Sequence, residues 1–247
     1  MDIETVSIGR LALAFIPVAL VIALMWRWQL GATRAIQAVG RMLLQLTLVG
    51  YVLVYIFGST SPAVVLVVLA IMALAAGWIA LNTVATKAKR LFPKSLAAVV
   101  AGGGSTLLLI TQGVLQLDPW FQANYVIPLA GMIFAASMTN ISLALERLHS
   151  ETNHGATFSD ARRIAFRTAM IPMINSFLAV GVISLPGMMT GQILSGVSPL
   201  IAVRYQIMVM CMIFGAAGLS TACFLTLMRD TEGLMPIGAA KQSLPRS

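Results

Sequence analysis

Seven apolar runs, each long enough to cross a bilayer, take up nearly the whole chain, at about residues 6–28, 35–57, 61–83, 95–117, 125–145, 168–194 and 200–228. A spanning helix needs about 20 such residues. Lipid offers no partner to a bare N–H or C=O, so only a segment that bonds its own backbone survives there. The runs predict an all-α fold, a polytopic integral membrane bundle of about seven transmembrane helices. With 59% apolar and only 10% charged residues, an ordinary soluble domain is excluded. The spans fill residues 1–232 as one transmembrane domain. Scattered Gly, Pro and Ser over 233–247 predict a disordered tail.

The net charge of +8 would suit nucleic acid if it were gathered in one stripe, but it is dealt out to alternate short loops, as in the positive-inside pattern. Arg27, Arg34 and Arg41 flank the first loop, and the third holds Lys87, Lys89, Arg90 and Lys94. The fifth has Arg147, Arg162, Arg163 and Arg167, and the tail Arg229, Lys241 and Arg246. The second loop (58–60), the fourth (DPWFQANY) and the sixth (195–199) have no basic residue. Odd loops and the C-terminus are thus expected in the cytoplasm and the N-terminus, with Asp2 and Glu4, outside. The run from Val6 to Trp28 is too long for a signal-peptide core and lacks its flanks, so it reads as a retained span.

Little of the chain suits catalysis. An intramembrane enzyme needs a nucleophile facing a base within the spans, and no such pair is visible. The Gly-rich stretches AGGGSTLL (101–108) and GAAGLST (215–221) lack the lysine of a phosphate-binding loop and lie inside spans. They read as close helix packing through small residues. Apart from Glu146 at one end, no Asp or Glu lies in a span, which argues against a proton- or sodium-coupled carrier. Cys211 and Cys223 share one run and stand roughly 18 Å apart on a helix, too far for a disulfide. His149 and His154 have no third ligand nearby, so no metal site is assigned.

Residues 146–167 form the longest loop, with a basic stretch from Gly155 onward that runs into the sixth span. It reads either as an ordinary positive-inside loop or as a short helix along the inner face that couples to a partner. In the coupling reading Gly155 gives the turn, with Ala156 and Ala161 small beside it. Thr157 and Ser159 supply the cap, Asp160 suits the helix dipole, and Phe158 is an apolar knob. The span that follows carries Pro186-Gly187 inside its apolar run, which predicts an interrupted helix. Interrupted helices are where transporters hold cargo. Asn175, Ser176, Pro186, Gly187, Met188, Met189, Thr190 and Gln192 are therefore the candidate cargo path, against the simpler account of a re-entrant turn packed by flexible methionines. Thioethers favour soft ions, so a bare iron site is not legible. Of the other intramembrane polar residues, Arg41 and Gln45 share a helix face, while Arg204 and Gln206 lie near the outer surface; snorkelling explains the arginines. Gln45, Asn82 and Asn140 suit bonds to neighbouring helices.

Several stretches resemble one family: RMLLQLTLVGYVLVYIF (41–57), VIPLAGMI (126–133), GAT with its alanine-ending helix (155–161), AMIPMINS (169–176) and VGVISLPGMMTGQILSGVSPLIAVRYQIMV (180–209). They are similar to the iron-export permeases of ABC transporters, the Fet-type permeases, themselves similar to plant aluminium-tolerance permeases. The resemblance covers nearly the whole chain. It implies the inner-membrane permease subunit of an exporter for iron or a related metal species. Such a permease binds no cofactor and is not an enzyme; ATP is used by a separate cytoplasmic ATP-binding subunit, and a second permease copy completes a homodimer. Two departures stand out. Ala135-Ala136-Ser137-Met138 replaces a usual G-N-(A/S)-M, and the 155–172 loop is shorter than usual. A passive channel and an ABC permease for a non-metal organic cargo remain the alternatives. A channel would conduct without an ATPase.

Overall fold

A computed structural model describes residues 7–58, 61–82 and 88–229. The acidic N-terminal tail, most of the 58–60 loop, Lys87 and the expected disordered tail 233–247 lie outside the described residues. The chain divides into two units, Met1–Ser59 and Thr60–Ser247. In the first, α1 (Ile8–Leu13) and α2 (Phe15–Arg27) lead through a turn at Gly31 into the 26-residue α3 (Ala32–Phe57). Ser7 caps α1, accepting from the Arg10 N–H.

The second unit holds α4 (Pro62–Ile79) and a long rod made of α5 (Ala88–Ala98), a π-helical segment (Val99–Gly104), α6 (Ser105–Leu108) and a second π-helical segment (Leu109–Val114). Then come α7 (Ala123–Asn153), α8 (Phe158–Ala179), α9 (Gly187–Leu194) and α10 (Pro199–Leu227). No strand occurs among the described residues; a lone bridge joins Val180 to Ser184. Among the described residues six helices have the length and apolar character to cross a membrane. The helix missing from that set is α8, whose first two turns carry Arg162, Arg163 and Arg167. At 22 residues it is about 33 Å long and packs along both α7 and α10. It carries only residues 168–179 free of charge, too short an apolar run to be counted with the six.

The core lies where α7, α10 and the first π segment meet. Ile133, Ile141, Leu145, Leu148, Met212, Phe224 and Leu225 are almost wholly buried there. The approach is closest at Gly102, where a Cβ would stand 2.3 Å from the Ser220 backbone nitrogen, so only glycine fits. Ser220 Oγ donates to Ser137 Oγ at 2.9 Å, and Ser137 Oγ to the Ala216 carbonyl at 3.4 Å. Both Gly-rich stretches thus pack helices, as the small-residue reading expected. The departing motif 135–138 supplies Ser137 to the same seam. On α8 the packed face is formed by Ala161, Ala165 and Ala169, all fully buried.

Two expectations are corrected. The supposed loop 146–167 is largely helix: α7 runs on to Asn153 with an Arg147–Glu151 ion pair one turn apart, leaving a turn around Gly155 (φ +88°) before α8 begins. No separate surface helix forms, because the basic stretch propagates directly into the span. The cap is Thr157, which accepts from the Asp160 N–H at 3.2 Å and donates to its carboxylate at 2.7 Å; Ser159 sits inside the helix. Second, the sixth span does not run to 194 with a break at Pro186-Gly187. It ends at Ala179, and Pro186 is the extended N-cap from which α9 restarts. Proline favours an extended residue before it and suits a helix start, so here it marks a beginning.

Hydrogen bonds tie the basic ends of this unit together. Lys94 Nζ donates to the Leu227 carbonyl at 2.6 Å and Ser95 Oγ to the Gly77 carbonyl at 2.9 Å. The end of α4, the start of α5 and the end of α10 therefore lie at one level. The start of α8 lies there too, since Arg162, Arg163 and Phe166 stand against Leu225 and Thr226 at the end of α10. On the positive-inside expectation for that end, a cysteine at Asn153 should label only after permeabilisation, and one at Gln116 from outside, in a Cys211→Ala/Cys223→Ala background. The reverse pattern would overturn the orientation.

Candidate cargo cavity

A cavity of about 370 Å³ opens between the end of α8, the 180–186 segment, α9 and the first half of α10. Phe177, Val180, Gly181, Leu185, Pro186 and Met189 form one side, and Val203, Gln206, Ile207, Met210 and Cys211 the other. The local sequence explains the shape. After Ala179 the chain makes a tight loop in which the Gly181 N–H donates to the Ser184 carbonyl at 3.0 Å. Pro186 then sets α9 off again, and Ser198-Pro199 starts α10 after the turn at Gly196. Phe177 stacks on Phe214 with ring centroids 5.0 Å apart, which closes α8 onto α10 beside the cavity.

The wall is almost entirely apolar, and Gln206 is its one amide. That side chain is only 6% exposed, and its Oε1 is buried with no hydrogen-bond partner. An orphaned amide oxygen costs about 1–3 kcal/mol. Met189, Met210 and Cys211 add three sulfur side chains to the lining, soft donors that tolerate many shapes. No group of three or more His, Cys, Asp and Glu that could hold a metal occurs among the described residues.

Of the residues expected from sequence on the cargo path, Pro186 and Met189 line the cavity. Gly187, Met188, Thr190 and Gln192 lie on α9 outside the lining. Thr190 Oγ1 donates back to the Pro186 carbonyl at 3.2 Å, and Gln192 Oε1 is buried without a partner. Asn175 and Ser176 are exposed, with Ser176 Oγ bonded to the Pro172 carbonyl. The opposite wall, from Val203 to Cys211, comes from some twenty residues downstream of the proline. Of these lining residues the sequence reading had singled out Gln206, near the outer surface, and Cys211, and neither as part of the cargo path.

The remaining positions fall elsewhere. Arg41 and Gln45 are exposed on α3, and Arg204 is exposed on α10. Asn140 is fully buried, its Nδ2 donating to the Met170 sulfur at 3.5 Å, which is the bond between helices expected of it. Asn82 is exposed. Around the turn between α7 and α8, Gly155, Thr157 and Ser159 are exposed, Ala156 and Phe158 half-buried, and Ala161 buried against its neighbours.

The profile of the uncharacterised protein family UPF0014 matches residues 8–231. The chain belongs to this family. Among its relatives, the UPF0014 membrane protein slr1647 of Synechocystis is 37% identical over 82% of this chain and 84% of its own. The probable iron export permease protein FetB of Escherichia coli is 35% identical, over 92% of this chain and 93% of its own. Protein ALUMINUM SENSITIVE 3 of Arabidopsis thaliana is 32% identical, over 75% and 72%. No solved structure matches. The resemblance read from the motifs is therefore correct, and with its apolar helices the family member is an integral, multi-pass membrane protein.

Proposed function

We propose that this family member is the permease subunit of an ABC-type exporter in the plasma (inner) membrane, not an enzyme. It moves iron or a related metal species out of the cytoplasm with ATP hydrolysed by a separate cytoplasmic subunit. The observation that carries this reading is the course of α8. It begins at a capped turn beyond the apolar span and continues as one helix, with Pro172 inside it, to the cavity wall at Phe177. A rod of that kind passes a push at one end to the other as a rigid body, the motion by which coupled transporters open a path. The likeness to FetB supplies iron and export. Gly155, Ala156, Thr157, Phe158 and Ser159 are the contact for the ATP-binding subunit, with Ala161 packed behind them against α7 and α10, and a second permease copy completes the transporter.

One observation favours the alternative of a non-metal organic cargo. The cavity wall is apolar apart from Gln206 and its sulfur side chains, and this suits an organic molecule or a chelate better than a hydrated ion. Co-purification with an ATP-binding subunit, followed by ATP-dependent efflux in inverted vesicles, tests the proposal. Conduction by the chain alone, without ATP, would make it a passive channel.

Phe158→Asp tests the coupling end. Placing a carboxylate on an apolar contact should weaken the complex with the ATP-binding subunit by about thirtyfold or more. Thermal stability should hold, because Phe158 is half-exposed at the helix start. Normal binding and transport by the variant would remove α8's first turn from the coupling role.

A further inference from the structure

At the end of the second unit opposite the cargo cavity, α8 and α10 enclose a second space of about 490 Å³. Arg162, Arg163 and Phe166 line it from α8, and Ala222, Leu225 and Thr226 from α10. Among the described residues its two arginines face no carboxylate. Neither has an ion pair among the described residues, and the acid next to them in sequence, Asp160, is held by Thr157 at the helix cap. Thr226 spends its proton on the Ala222 carbonyl at 2.7 Å. The pocket thus presents two guanidinium groups at a rim and an apolar floor below.

The floor continues into the membrane. Leu219 lies one turn along α10 on the same face as Ala222 and is 56% exposed, and Phe166 is 37% exposed on α8. Lys94, bonded to the Leu227 carbonyl, fixes the level of the rim at the helix ends, where spans meet water. A free phosphate would meet donors on one side only. An amphiphile meets both halves: a phosphate on the arginines and a glycerol and acyl chain along Phe166, Leu225 and Leu219. Basic pockets between helices at the inner leaflet hold anionic headgroups for this reason, and guanidinium groups grip phosphate in a bidentate fork.

We infer that this pocket is a binding site for one anionic phospholipid, its headgroup on the α8 arginines and its glycerol and acyl chain against α10. It does not rest on the transport reading. The lipid bridges the two helices that carry the cargo cavity at their other ends, and so sets how freely α8 moves.

Purified full-length protein is titrated with phosphatidylglycerol and with phosphatidylcholine in mixed micelles, with binding read by native mass spectrometry. Phosphatidylglycerol should bind and phosphatidylcholine should not. Arg162→Gln/Arg163→Gln should bind phosphatidylglycerol about thirtyfold more weakly, while Arg162→Lys/Arg163→Lys keeps most of the affinity. Photoactivatable phosphatidylglycerol on the unaltered protein should crosslink within residues 162–166 and 219–226, a readout that needs no variant to fold. Three results would overturn the site: crosslinks elsewhere, displacement of the lipid by millimolar inorganic phosphate, or a double variant that loses its ATP-binding partner but keeps lipid affinity. The second would leave a free-phosphate site and the third a protein-docking surface.

Discussion

Gly102→Leu should abolish accumulation of folded protein, whereas Gly104→Ala should be tolerated. The two glycines are a half-turn apart on the same rod, yet their surroundings differ. A Cβ at Gly102 would lie 2.3 Å from the Ser220 nitrogen and 2.7 Å from its Cα, backbone atoms that cannot swing aside. At Gly104 the nearest atom is a Val100 methyl at 3.9 Å. Overpacking a core typically costs about 1–3 kcal/mol and rises when backbones must part. Here the parting would also pull Ser220 from Ser137 and Ser137 from the Ala216 carbonyl. Gly102→Ala should lower the melting temperature in detergent by many degrees, and Gly104→Ala should stay near the parent. Equal tolerance of both would mean that the seam between the π segment and α10 is looser than described.

Gln206→Leu should do the opposite to the fold and damage function. The Gln206 Oε1 is buried and unpartnered, so leucine, similar in volume, removes a cost of about 1–3 kcal/mol. For a chain of this size that corresponds to a rise of about 2–4 °C per kcal/mol. The cavity would then have lost its single amide. A pocket that recognises its ligand through one polar group discriminates strongly when that group is removed, so efflux should fall by about tenfold or more. Stabilised protein with undiminished transport would show that cargo never touches Gln206, and the cavity would lose its standing as the path. A fold that keeps an unsatisfied amide where an apolar residue would be more stable fits a site kept for function.

The class of fold is legible because lipid leaves so few options: apolar runs of the right length become helices, and basic loops alternate with plain ones. The ends of those helices are not legible from hydropathy. Nothing apolar marks residues 146–153 or 158–167 as helix. They are carried by the Arg147–Glu151 pair and by the Thr157–Asp160 cap, of which Thr157 and Asp160 were named from sequence, with Ser159 as a second cap that proves to lie inside the helix. The position of the interruption was displaced for a different reason. Proline and glycine signal that a regular helix cannot pass through them, but not on which side it stops, and here α8 stops at Ala179 while Pro186 opens α9. The π segments leave no mark in the residues beyond a run of glycines. As for the cavity, Pro186 and Met189 were readable from the break itself. Met210, Cys211 and Gln206 join them only because α10 folds back alongside.

The face that α8 turns toward its neighbours has a mechanical consequence. Ala161, Ala165 and Ala169 repeat every four residues and are fully buried, so most of that surface is smooth, and Met170 is the one large side chain buried beside them. Around it stands a rigid frame, the seam of Gly102, Ser137 and Ser220, where backbone nearly touches backbone. Small side chains against such a frame leave few obstacles, so a slide or rotation of α8 would be the motion least opposed by packing. The flexible Met170 thioether, within reach of both Asn140 and Gly218, serves as the soft stop. Bulk added to the alanine track would jam the movement while leaving both of its ends intact.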